Sequence, residues 1–123
     1  MTKSLLKKMM VAGFVVAALA GSILAEPAQA QSGFHRTDRV LPYDTDVWRV
    51  WVPAGSARVV VEGGTHTDLD LSVYDESTGR LLAVDDDRTS YCIGDFFKGR
   101  SGWIEVRVEN LGGTSNGYSI SVR

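Results

Sequence analysis

From Asp46 onward the chain alternates apolar and polar residues with a period of two, and glycine- or proline-bearing turns interrupt the alternation. Val47-Trp48-Arg49-Val50-Trp51-Val52 predicts the first strong strand, stopped by Pro53-Ala54-Gly55. Arg58 to Glu62 predicts the second, stopped by Gly63-Gly64. Leu69 to Tyr74 predicts the third, with Leu69, Leu71 and Val73 on one face and Asp70, Ser72 and Tyr74 on the other. Glu76-Ser77-Thr78-Gly79 reads as the turn of a hairpin whose return strand is Arg80 to Val84. Tyr91 to Phe97 is a weaker strand, broken by Gly94 and Asp95. Trp103 to Val108 and Tyr118 to Val122 complete the set. About seven to eight short strands, frequent turn signals and no helical period predict a small antiparallel β-sandwich of jelly-roll type.

The first thirty residues break this pattern. Lys3, Lys7 and Lys8 precede an uncharged run from Met9 to Ala25, and Ala28-Gln29-Ala30 offers small residues for signal peptidase. Residues 1–30 therefore read as a cleaved signal peptide, which predicts a secreted or periplasmic protein with no membrane association after cleavage. Residues 31–42 read as an irregular lead-in and residues 43–123 as the domain. The domain is small for a single core and has little stability to spare.

Charge excludes one class of partner. Without residues 1–30 the formal charge is −4, with no basic stripe, so nucleic acid is not expected. Cys92 is the only cysteine, which rules out an intramolecular disulfide and makes it a small buried hydrophobe. Trp48 and Trp51 lie three apart on one strand, so a regular strand turns one inward and one outward. Both are candidate ligand-binding residues, with stacking on a sugar or peptide as the function of the exposed one.

The order and spacing of four segments resemble the bacterial pre-peptidase C-terminal domain family. These are Asp46 to Gly55, Thr67 to Asp75, Gly102 to Val108 and Gly117 to Val122. The resemblance covers roughly residues 43 to 123 and implies a β-sandwich of the kind found beside secreted peptidases. Related modules of clostridial collagenases bind calcium near the third strand. By that resemblance Asp68, Asp70, Asp86 and Asp87 are candidate calcium ligands, since calcium takes six to eight hard oxygens. A solvated acidic rim paired with local arginines is the alternative.

No nucleophile elbow, phosphate loop or zinc spacing is present, and the expectation is a non-enzyme. His66 beside Asp68 is the sole remnant of a hydrolase reading. The expected function is a non-catalytic module that recognises a protein or polysaccharide, with calcium as the candidate cofactor. The alternative is a structural or regulatory partner acting in trans on a secreted peptidase.

Overall fold

A computed structural model describes residues 11–12, 33–65 and 67–123. Nine strands are described: β1 (Val11–Ala12), β2 (Phe34–Val40), β3 (Thr45–Val52), β4 (Gly55–Gly63), β5 (Leu69–Asp75), β6 (Leu81–Asp85), β7 (Tyr91–Lys98), β8 (Gly102–Asn110) and β9 (Asn116–Val122). They form two sheets. Sheet one has the order β1-β3-β8-β5-β6 and sheet two the order β2-β9-β4-β7. Every pairing is antiparallel except that of the two-residue β1, which lies parallel against Arg49 and Val50. The two sheets make the predicted β-sandwich. The signal-peptide expectation falls on residues that, Val11 and Ala12 apart, lie outside the described part.

The lead-in expected over residues 31–42 is instead largely β2, an edge strand paired along its whole length with β9. Its alternation is hidden because Arg36 and Asp38 stand opposite the core residues Ile120 and Tyr118, while only Phe34 and Val40 are buried apolar anchors. Charged residues at inward positions of an edge strand discourage pairing with a foreign strand.

The inner faces meet in one core. Trp48, Val50, Leu71, Val73, Ile104 and Val106 come from sheet one, and Val59, Val61, Cys92, Phe96, Ile120 and Val122 from sheet two. Gly94 occupies an inward position where β6 and β7 approach. A Cβ there would lie 3.1 Å from the Ala83 Cβ and 3.4 Å from Leu71 Cδ2, so a larger residue would push these neighbours back by a few tenths of an ångström. Cys92 is fully buried and its thiol donates to the Leu69 carbonyl at 3.1 Å, as the small-hydrophobe reading requires.

A polar link also joins the sheets inside the core. The Trp48 indole N–H on β3 donates to the Tyr118 hydroxyl on β9 at 2.9 Å. That hydroxyl donates in turn to the carboxylate of Asp46, back on β3, at 2.6 Å. Asp46 is 1% exposed, so this donor helps offset the cost of burying a carboxylate. Burial first, and then the hydrogen bond to Asp46 and its charge, push the Tyr118 hydroxyl pKa upward, which keeps the proton on the phenol.

Tyr118→Phe removes a donor from a buried carboxylate and an acceptor from a buried indole. The expected loss is about 1–3 kcal/mol of unfolding free energy, measured by denaturant titration. An unchanged midpoint would show that the link contributes nothing.

Candidate functional site

Alternation on β3 separates the two tryptophan candidates. Trp48 is 2% exposed, edge-on to Phe34 and hydrogen-bonded to Tyr118. It is a core residue, and its expected role in ligand binding is corrected accordingly. Trp51, three residues on, points to the outer face of sheet one and is 45% exposed. The register places it directly opposite Trp103 on β8, and the rings meet edge to face at 5.4 Å and 79°. Sequence reasoning did not select Trp103 as a site residue. Its signal was the shared outward parity of residues 51 and 103 on two strong strands.

Around this pair the outer face is lined by matched charges. The Arg49 guanidinium lies 4.1 Å over the Trp103 ring and forms a two-pronged bond to Glu76, with Nη2 to Oε1 at 2.9 Å. Arg107 lies 4.8 Å over the Tyr74 ring and bonds Glu105. Leu81 and Val84 on β6 add exposed apolar surface at the far side of the face.

The acidic residues gather at the opposite end of the strands. Asp70 stands opposite Glu109 in the β5–β8 ladder, and Asp68 immediately precedes β5. The Asp68 Oδ1 and Asp70 Oδ1 atoms are buried and have no hydrogen-bond donor. Burial, followed by the charges of Asp68, Glu109, Asp86 and Asp85, pushes the Asp70 carboxyl up to about 6.

The four expected calcium ligands do not converge as a set. Asp87 is bound within its own loop, where Oδ1 accepts the backbone N–H and the hydroxyl of Thr89, both at 2.9 Å. Those bonds hold its carboxyl below the ordinary value. Asp86 bears on Asp70 through its charge. Among the described residues no group of three or more His, Cys, Asp or Glu side chains is placed to hold a metal ion. The Asp68–Asp70 pair alone falls short of the six to eight oxygens that calcium takes.

Two buried asparagines, which sequence reasoning missed, build this rim. The Asn116 amide accepts from Gly64 N at 2.7 Å and donates to the Thr67 hydroxyl at 2.8 Å. Asn110 donates to the carbonyls of Leu41 and Thr114 and accepts from Gly112 N. A Cβ on Gly63 would lie 2.6 Å from Leu69 Cδ1, which explains a glycine where β4 ends against the start of β5. Asn116 carries no local sequence signal, because its partners are distant in the chain; Asn110 has partners in its own loop, Gly112 and Thr114, and a distant one, Leu41. His66 lies outside the described residues.

No protein-family model matches the chain, and no curated protein sequence matches it. Solved structures do. The pre-peptidase C-terminal domain of a collagenase from Bacillus anthracis matches with a TM-score of 0.63 at 16% identity, covering 74% of this chain and 89% of that one. PliG from Aeromonas hydrophila, a periplasmic inhibitor of g-type lysozyme, matches with a TM-score of 0.52 at 13% identity, covering 73% and 83%. The Yersinia pseudotuberculosis-derived mitogen matches with a TM-score of 0.52 at 12% identity, again over 73% and 83%. The fold is that of the pre-peptidase C-terminal domain, as the sequence segments indicated.

The Asp70 carboxyl predicts a pH dependence with a definite sign. Its folded value of about 6 exceeds the ordinary 3.8, so between these pH values the folded state holds a proton that the unfolded chain has released. This contribution to stability is complete below about 4 and is lost as pH rises through about 6. The melting temperature should fall between about pH 4 and 6, and Asp70→Asn should flatten that slope and raise the value at pH 7. A slope unaltered in the variant would contradict the assignment.

Proposed function

We propose that the protein is an exported, non-catalytic binding module that recognises a protein or polysaccharide outside the cytoplasm. The outer face of sheet one is the recognition surface. The observation that carries this reading is Trp51, a large aromatic left half-exposed in a face whose neighbouring charges are mutually satisfied. Exposed tryptophans beside arginines are typical anchors of recognition surfaces. The strongest potential nucleophile, Cys92, is sealed in the core, and burial raises its thiol to about 12, which supports a role without covalent catalysis. An extracellular or periplasmic location fits the company of this fold, which includes a collagenase domain and periplasmic inhibitors.

A second reading is favoured by the same two structures. One is a domain of a collagenase and the other an inhibitor of g-type lysozyme. On this reading the protein acts in trans on a secreted hydrolase. Two assays separate the alternatives. Co-sedimentation with insoluble chitin, cellulose or peptidoglycan reports polysaccharide binding. Initial rates of collagenase and of g-type lysozyme, with and without the protein, report action in trans. Trp51→Glu should abolish whichever interaction is found. An interaction that survives this substitution intact would place recognition elsewhere.

Within this proposal calcium would be held at the Asp68–Asp70 pair, whose buried oxygens lack donors, with backbone oxygens and water completing its six to eight ligands. A cation bound only by the folded state stabilises it by mass action, about 2.7 kcal/mol at a hundredfold excess over its dissociation constant. Thermal unfolding in millimolar calcium should then exceed that in chelator, with the difference lost in Asp70→Asn. Identical melting temperatures would remove calcium from the account.

A further inference from the structure

The outer face of sheet one differs sharply between its two ends. Trp103 and Glu109 lie on the same strand, and at roughly 3.3 Å per residue the aromatic end stands about 20 Å from the acidic end. At the aromatic end the adjoining charges cancel in pairs, Arg49 with Glu76 and Arg107 with Glu105. The cations also cover two of the three rings: Arg49 lies over Trp103 and Arg107 over Tyr74. Among the described residues no cation lies over Trp51, so its indole is the aromatic surface left for an outside group.

This arrangement specifies the chemistry of what would bind. A polyanion finds Arg49 and Arg107 already paired with carboxylates and meets further carboxylates along the face. A stable protein interface covers roughly 800 Å² on each side, which would carry it from the tryptophan pair toward the acidic end. A sugar residue needs much less: one apolar ring surface and a few hydrogen-bonding groups beside it. Trp51 supplies the first. The guanidinium of Arg49 and the carboxylates of Glu76 and Glu105, each partly exposed, supply donors and acceptors already held in place by their partners. Pre-positioned groups of this kind lose little side-chain freedom on binding.

We propose that Trp51, backed by Trp103 and flanked by Arg49 and Glu76, is a stacking platform for a neutral polysaccharide. The inference rests on the binding-module reading and names its ligand class. The apolar face of a pyranose ring packs on the indole, and ring hydroxyls bond the arginine–glutamate pair.

Tryptophan fluorescence and calorimetric titration test this with the purified protein and soluble neutral hexasaccharides of glucose, xylose, mannose and N-acetylglucosamine. A galacturonate hexasaccharide serves as the charged control. The expected result is a saturable emission change with at least one neutral glycan and none with galacturonate. Trp51→Ala should weaken that binding about tenfold or more, equivalent to about 1.4 kcal/mol. Trp51→Tyr, which keeps an aromatic ring, should retain most of it, and melting curves of both variants establish that they are folded. Absence of binding to all four neutral glycans, preference for galacturonate, or full binding by folded Trp51→Ala would each overturn the inference. A hydrolase that binds through Trp51 while no glycan does would overturn the glycan assignment and leave the binding-module reading standing.

Discussion

The hydroxyl of Tyr118 joins the two sheets through the core and fixes which way β3 faces. It accepts from Trp48 and donates to Asp46, two residues of matching parity on β3. Strand side chains alternate strictly, so anchoring 46 and 48 inward commits 49 and 51 to the outside. A slip of one residue would bury Arg49 and Trp51 and expose the core set. The outward presentation of Trp51, its contact with Trp103 and the placement of Arg49 over that ring all follow from this one buried link. The surface assigned to recognition is thus a consequence of how the core is tied.

The two ends of that surface stand in different electrostatic states. Near Trp51, Arg49 pairs with Glu76 and Arg107 with Glu105, and these pairs keep hydrogen-bonding capacity while cancelling each other's charge. Near Asp70 the carboxylates crowd together, and two buried oxygens have no donor. Unsatisfied buried polar atoms cost stability, and native proteins retain few of them. Here the surrounding loops hold the cost in place. Asn116 clamps Gly64 and Thr67, and Leu111 N donates to the Asp68 carbonyl, so the backbone leading into β5 has little freedom to relax. At the other end of the sandwich the buried Lys98 ammonium pairs with Asp75 at 3.1 Å. Ser77 first and Lys98 second hold that carboxyl down at about 2. At one end the buried ammonium is therefore paired, while at the other the buried carboxylates stand unbalanced.

Most strands were legible because their alternation is local: β3, β5, β8 and β9 each show apolar residues at every second position. β2 was not, since the tertiary fold sets Arg36 and Asp38 at inward edge positions that no apolar pattern marks. The pair Trp48 and Trp51 was legible only as one inward and one outward residue. Choosing between them required Tyr118, seventy residues away from Trp48. The proximity of Asp70 to Asp86 followed from the β5–β6 hairpin, which the turn at Gly79 revealed. The withdrawal of Asp87 was a local matter, carried by the Asp-x-Thr spacing to Thr89. Asn116 acts through long-range contacts that no local pattern marks, while Asn110 combines bonds within its own loop, to Gly112 and Thr114, with a distant one to Leu41.

The most direct test of the account is NMR mapping of backbone amide and indole N–H shifts while a bound neutral oligosaccharide or partner protein is titrated in. The account predicts that the perturbed signals cluster on Trp51, Trp103, Arg49 and Glu105, with the Trp51 indole moving most. The Trp48 indole, locked to Tyr118 in the core, should remain unmoved. Perturbations centred on sheet two or on the Gly63–Asp70 rim, with Trp51 silent, would contradict it.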